Sequence, residues 1–271
     1  MMTTRRAIVR RGRPRGDDLA VEDPLVLGLE GPGVAPGGEV LATVMRTPGH
    51  DLELAAGWLC VETAGDPDAR GVRRPEDLVS LRACRDHDTD RVLARLREGV
   101  RAPRARAFVT SSACGVCSAD VVDLSGLRTS HARRDGWQVT GEVLAGLPGT
   151  LRAQQRVFAR TGGLHAAGLA TAEGAIDRVF EDVGRHNAVD KAVGRALLDG
   201  ALPASDRLLV VSGRVSFELV QKAMAAGVVG LVAVSAPSSL AVDLAREHGL
   251  LLAGMVRDDG FNLYAGEELV R

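Results

Sequence analysis

Apolar and polar positions alternate with three different rhythms along the chain, and each rhythm predicts different elements. Between 19 and 45 short apolar runs are broken by Gly31-Pro-Gly-Val-Ala-Pro-Gly-Gly38, and the alternation from Val40 to Val44 predicts strands joined as a hairpin. From Asp51 the spacing of Leu52, Leu54, Ala55, Ala56, Trp58 and Leu59 turns helical, with Asp51 suited to a helix N-terminus. Residues 63 to 105 are polar, weakly patterned and interrupted by Pro67, Pro75 and Pro103. They read as a connecting region with strand-like pieces at 78–81 and 91–96. Ala107 to Thr110 reads as a buried strand, Ala119 to Leu124 as the start of a helix, and 141–147 and 150–158 as two more helices. In the last of these, Leu151 and Phe158 share a face. The helix predicted from Ala188 to Leu198 is apolar at 188, 189, 192, 193, 196 and 197, which makes one packed face. His186, Asp190 and Lys191 near its start read as caps and surface pairs.

The alternation is clearest from Arg207. Strands are predicted at 208–211, 228–234 and 250–256, with helices at 216–226 and 238–248 between them. Strands this apolar joined by helices imply parallel pairing with both faces covered. Their carboxyl ends then bring three loops to one edge: Ser212-Gly213-Arg214, Ser235-Ala-Pro-Ser-Ser239 and Arg257-Asp258-Asp259-Gly260. Ligands of open α/β sheets bind at that edge. Small residues, hydroxyls, arginines and helix N-termini there suit a phosphorylated ligand such as a nucleotide. No loop is a P-loop or a G-x-G-x-x-G fingerprint, so a Walker-type ATPase or a Rossmann dehydrogenase finds no support.

Composition narrows the setting. The 271 residues are 45% hydrophobic and 25% charged, the profile of a globular protein, while 3% aromatics leave the core to Ala, Val and Leu. A net charge of −1 does not mark a nucleic-acid binder, and the six arginines between Arg5 and Arg15 read as a solvated terminal strand rather than an RNA-binding arm. No apolar stretch reaches the ~18 residues of a membrane span and no signal peptide is visible, so a cytoplasmic protein with no membrane partner is expected. The four cysteines form no disulfide framework, and Cys60 and Cys84 read as bystanders.

The remaining pair, Cys114 and Cys117, lies in Val109-Thr-Ser-Ser-Ala-Cys-Gly-Val-Cys-Ser118. A strand before it and a helix after it would put the thiols at a helix N-terminus, which favours thiolates. Thiols at this spacing can share a metal, close a disulfide or pass a sulfur atom between them. With His165 or His186 they would make a three-ligand zinc site, and a strand followed by C-x-x-C is half of the zinc deaminase signature. The other half, an upstream H-x-E, is missing, since His50 and His87 are followed by Asp-Leu and Asp-Thr. A thioredoxin-like dithiol is weakened by the α/β alternation lying far downstream.

Several runs taken in order resemble one family, the formate dehydrogenase accessory sulfurtransferases of the FdhD/NarQ family. They are Met45 to Gly57, Ser111 to Cys117, Phe158 to Ala167, Glu181 to Lys191, Ser212 to Lys222 and Val234 to Pro237. The resemblance implies a protein that takes persulfide sulfur from a cysteine desulfurase onto Cys114 and Cys117. It would then pass that sulfur to the molybdenum of a bis(molybdopterin guanine dinucleotide) cofactor, a bound substrate destined for formate dehydrogenase. A GDP-like guanine nucleotide would occupy the same site.

The implied fold is α/β, with a cytidine-deaminase-like three-layer core of mixed and parallel sheet over 106–271 and a smaller N-terminal α+β subdomain over 1–105. Homodimers are implied as well. The family's cofactor segment falls on Met255, Val256, Arg257, Asp258, Asp259 and Gly260, beside the loop residues Ser212, Gly213, Arg214 and Ser235. Ser118 stands where the family has glycine. Two other functions remain in view, a non-catalytic chaperone of the molybdenum cofactor and a zinc deaminase-like hydrolase.

Overall fold

The computed structural model describes residues 1–10, 13–35, 37–64, 70–86, 89–105, 109–110 and 136–271. Two strands, β1 (Thr3–Arg10) and β2 (Arg13–Ala20), pair antiparallel as a separate ribbon. The predicted hairpin follows as β3 (Asp23–Leu29) and β4 (Glu39–Arg46), which bury Leu25, Leu27, Leu41 and Val44 on one face. The strand-like pieces read at 78–81 and 91–96 belong to two longer strands, so much of 63–105 is sheet and not mere connection. Strands β5 (Leu78–Asp86) and β6 (Thr89–Leu96) form a hairpin whose β6 runs parallel to β3, and β7 (Val109–Thr110) adds to β4. The piece read at 78–81 falls short of the full β5 because this is the edge of the five-stranded sheet, with Leu78 and Leu81 only half-buried and the residues after Leu81 mostly polar.

Helix α1 (Asp51–Glu62) buries every residue from Leu54 to Cys60, as expected of a helix enclosed on all sides. It crosses helix α4 (Arg185–Leu198) at two glycines. A Cβ on Gly57 would stand 1.9 Å from the Asp190 carbonyl oxygen, and one on Gly194 1.8 Å from that of Glu53. Only glycine at both positions allows this approach. One core thus runs without a break from Leu25 through Trp58 and Val189 to Leu209 and Leu252.

Those last residues belong to a six-stranded sheet. The predicted parallel strands are β10 (Leu208–Val211), β11 (Gly230–Ala233) and β12 (Leu251–Arg257), with α5 (Phe217–Ala226) and α6 (Ser239–Glu247) between them. Three strands went unread. An antiparallel hairpin, β8 (His165–Ala170) and β9 (Ile176–Asp182), flanks β10, and β13 (Gly260–Ala265) pairs antiparallel with β12. Strand β8 escaped notice because His-Ala-Ala-Gly-Leu-Ala has low strand propensity. The fold is a mixed α/β architecture.

Helix α2 (Gly141–Ala153) covers one face of this sheet through Leu144, Leu147 and Leu151, and α4, α5 and α6 cover the other. Pro148 lies inside α2, so the division predicted between 147 and 150 is wrong. Leu151 ends α2 while Phe158 belongs to the short α3 (Arg156–Thr161), and the two share no helix face. The predicted helix starting at Ala119 lies outside the described residues.

Candidate functional site

The parallel strands β10, β11 and β12 end at one edge, and the antiparallel neighbours bring two more chain segments there. His165 begins β8 opposite Asp182, which ends β9, so 181–187 faces the same side as Ser212 to Arg214. The loops are tied together by backbone bonds. Ser212 N–H donates to the Ala166 carbonyl at 3.0 Å and its hydroxyl accepts from Ala166 N–H at 2.8 Å. Val215 N–H donates to Ala236 at 3.3 Å, and Met255 N–H to Ser235 at 3.2 Å.

The segment from Met255 to Gly260 is the tip of the β12–β13 hairpin, which corrects the reading of Arg257–Gly260 as an open loop after the last strand. A bulge between Gly254 and Arg257 puts Met255 in the left-handed region, φ 53°, a conformation that non-glycine residues adopt at some expense. Met255, Arg257, Asp258 and Asp259 are exposed, whereas Val256 is buried and Gly260 half-buried. Arg257 is turned inward at its tip, donating to the carbonyls of Val234 and, at 2.8 Å, Val256. Its Nη1 thereby braces the edge. Ser235 is half-buried beside it.

A different arginine pair is unspent. Arg185 opens α4, and Arg214 sits exposed in the turn before α5. Among the described residues, neither guanidinium makes a hydrogen bond or an ion pair. Between them a Cβ on Gly213 would stand 3.2 Å from His165 Nδ1 and 4.0 Å from Arg185 Cβ. The N-termini of α4 and α5 therefore converge on a cationic turn, a geometry suited to an anion. Ser216 is at the N-cap of α5, yet its hydroxyl makes no cap bond and is buried without a partner. Burial lowers the His165 pKa, and the positive charges of Arg185, His186 and Arg214 lower it further. His165 is thus a neutral imidazole near neutral pH.

His186 Nε2 lies 2.7 Å from Glu218 Oε2, a close polar contact that is not an aligned hydrogen bond. The contact with His186 is also the main reason the Glu218 carboxyl is held below its usual range. One turn along, Lys222 Nζ meets Asp190 Oδ1 at 2.6 Å. Asp190 and Lys191 are buried, which corrects their reading as surface pairs. Lys191 Nζ forms an ion pair with Asp182 Oδ2 at 2.6 Å and donates to the Thr47 carbonyl at 2.9 Å and to the Glu181 carbonyl at 3.3 Å. Asp182 also accepts from Thr47 N–H, Gly184 N–H and the Asn187 amide. This network ties the end of β4 to the strand edge.

On the α2 side the edge opens into a cleft of about 590 Å³, lined by Phe158, Leu164, His165, Ser212, Val234 and Asp258 among others. The Glu181 carboxylate holds its wall in place by accepting from Val157 and Phe158 N–H at 2.9 and 2.7 Å. Arg152 lies 4.0 Å over the Phe158 ring.

Cys114, Cys117 and Ser118 lie outside the described residues. Of the other cysteines, Cys84 is half-buried in β5, and burial pushes the Cys60 thiol up to about 11, which leaves it unreactive. Among the described residues, no group of three His, Cys, Asp or Glu side chains gathers as a metal site, and no helix is long and apolar enough to cross a membrane. Arg185 and Ser216 are the residues that sequence reasoning did not select for the site. The signal for Arg185 was present in Asp182-Val-Gly-Arg185, but it is legible only once β9 is known to end there.

The family model of the FdhD/NarQ family matches residues 20–271. The chain is 45% identical to the sulfur carrier protein FdhD of Nocardia farcinica, over 100% of this chain and 95% of that protein. It is 41% identical to the protein of the same name from Mycobacterium tuberculosis, over 92% and 90%. A crystal structure from Desulfotalea psychrophila, of a chain assigned as a formate dehydrogenase accessory protein, superposes with a TM-score of 0.72. It covers 99% of this chain and 98% of that one at 20% identity, a likeness of fold.

Proposed function

This chain belongs to the FdhD/NarQ family, and from that premise we propose that it is a cytoplasmic sulfurtransferase serving formate dehydrogenase. Cys114 and Cys117 take sulfur from a cysteine desulfurase, and the strand edge holds the acceptor, a bis(molybdopterin guanine dinucleotide) cofactor bound as substrate. The observation that carries the acceptor reading is the pair of unspent arginines, Arg185 and Arg214, at two converging helix N-termini. Guanidinium forks and helix N-termini are the usual partners of pyrophosphate. The neighbouring cleft lies in the size range of small-ligand pockets and has an aromatic wall for a ring system. We read the six-stranded sheet with helices on both faces as the cytidine-deaminase-like core.

The sulfur chemistry balances within the chain's own groups. A thiolate of the pair attacks the outer sulfur of the donor's persulfide, the new S–S bond forms as the donor's breaks, and the donor leaves as a thiolate. Delivering the sulfur as sulfide takes two more electrons. The second cysteine supplies them by attacking the inner sulfur, which expels sulfide and closes a Cys114–Cys117 disulfide that a thiol reductant must reopen. Thr110, the last described residue before the pair, adjoins Val44 at the end of β4. Four peptide units then separate it from Cys114, a reach of at most ~14 Å.

Mass spectrometry after incubation with a cysteine desulfurase and cysteine tests this reading. The peptide carrying Cys114 and Cys117 should gain the mass of one sulfur atom, and the gain should vanish in the Cys114→Ala, Cys117→Ala variant. A double variant that still supports formate dehydrogenase would instead favour a non-catalytic cofactor chaperone, and stoichiometric zinc in the purified protein a hydrolase.

A further inference from the structure

The ribbon of β1 and β2 stands outside both the site and the family match, which begins at residue 20. It carries an unusual share of the charge. Six of the 34 basic and two of the 35 acidic residues lie within 3–20, so this segment has a net charge of +4 on a remainder of −5. The register concentrates that charge. Near the base Arg5 faces Asp18 and Arg6 faces Asp17, while toward the tip Arg10 faces Arg13 and Arg15 faces Ile8. Like charges directly opposed across strands destabilise a ribbon, and a two-stranded ribbon is only marginally stable by itself. Charge at the tip therefore works against the local fold.

The base is anchored and the tip is open. Val21 N–H donates to the Met2 carbonyl at 2.9 Å, and Asp18 meets Arg160 of α3 at 3.1 Å. Strand β2 packs on α3, the helix whose Phe158 lines the cleft. Arg5, Arg6, Arg13 and Arg15 are exposed, and Val9 near the tip is 73% exposed. Residues 1–20 contain no aromatic side chain, so the ribbon has no platform on which single-stranded nucleic acid bases stack. Arginine forks suit carboxylates bidentately.

We propose that the β1–β2 ribbon is a docking arm for an acidic face of the protein that donates sulfur to this chain. The proposal rests on the sulfur-carrier reading. In that reading the acceptor is a small cofactor held at the strand edge, so the sulfur step requires one macromolecular encounter, that with the donor. An arm fixed beside the cleft on α3 steers that encounter toward the functional edge. Complementary charge of this kind acts mainly on the association rate and is screened by salt.

The test uses the full-length chain and two sulfur sources, the cysteine desulfurase with cysteine and inorganic polysulfide. Substituting Arg6→Ser, Arg13→Ser and Arg15→Ser together should slow loading by the desulfurase about tenfold or more at low salt and flatten its salt dependence. Loading by polysulfide should stay within about twofold, which also shows that the variant is folded. Equal desulfurase rates and salt slopes in the two proteins would overturn the docking arm alone. If polysulfide does not load the unaltered chain either, the sulfur-carrier reading falls, and the arm with it. Unchanged desulfurase loading with arginine-dependent binding of a short single-stranded RNA or of anionic vesicles would reassign the ribbon to that polyanion and overturn the proposal.

Discussion

The chain contains just two lysines, and both are buried against aspartates; the arginines at the strand edge, Arg185 and Arg214, have no such partner among the described residues. The contrast separates charge that holds the fold from charge kept for a ligand. Lys191 donates to two carbonyls and pairs with Asp182, which itself accepts from three further groups, a densely connected network in a seam with no exposed side-chain surface on either ion. Arg185 and Arg214 surround the nearly neutral His165 and remain unsatisfied. Buried ions with their partners in place suit a single geometry, and a half-buried and an exposed guanidinium without partners suit an arriving anion.

The largest expected effect breaks the paired side. Lys191→Met leaves the Asp182 carboxylate buried without its counter-ion and should cost roughly 3–5 kcal/mol in chemical denaturation. Adding Asp182→Asn should recover part of that loss. A single variant as stable as the unaltered chain would mean that the ion pair does not hold the seam together. The next effect belongs to the unpaired side. Arg185→Gln with Arg214→Gln should change stability by no more than about 0.5 kcal/mol. The same change should weaken binding of GDP, used as probe in calorimetry, by about a hundredfold or more, since each of the two arginines contributes at least one charge-assisted bond of ~1.5–3 kcal/mol. Unchanged GDP affinity would remove these arginines from the site.

The same division explains what the sequence made legible. Strands β10, β11 and β12 are unbroken apolar runs buried on both faces, so their parallel order and the edge bearing Ser212, Ser235 and Arg257 followed from pattern alone. Strands β8 and β9 carry no such run, because β9 is an edge strand with exposed Asp177 and Arg178. Without them Glu181 to Asn187 reads as a polar linker, and Lys191 as a surface residue. Its buried state depends on Thr47, which lies 144 residues away in sequence. Local periodicity carries no trace of such a partner. The bracing role of Arg257 was equally hidden, since the Val234 carbonyl it meets lies 23 residues away in sequence, after the neighbouring strand.

A smaller pair of effects sets two helix-capping serines against each other. The Ser238 hydroxyl accepts from Ala241 N–H at 3.3 Å and caps α6, so Ser238→Ala should cost about 1 kcal/mol. The Ser216 hydroxyl caps nothing and is buried unpaired, so Ser216→Ala should be neutral or slightly stabilising. If Ser216 is kept for the ligand, that substitution should still weaken GDP binding severalfold, by the loss of a neutral bond of ~1 kcal/mol. Equal stability losses at the two serines would show that Ser216 is structural.

The smallest effect is a proton linkage at His165. Its folded-state pKa lies below the ordinary value of 6.5, so the unfolded chain binds the proton more readily. The resulting stability is present in full above 6.5 and is lost as pH falls through the lowered folded value. The melting temperature of the unaltered chain should therefore drop more between pH 7.5 and pH 5.5 than that of His165→Gln, by an increment worth on the order of 1 kcal/mol or less. Burial is the main cause of the lowered His165 pKa, and an anion seated between Arg185 and Arg214 offsets the part that their positive charges add. GDP binding should then take up a fraction of a proton near pH 6.5, measurable as a dependence of calorimetric heat on buffer ionisation enthalpy. Uptake that persists in His165→Gln would move the titrating group elsewhere, and with it the centre of the anion site.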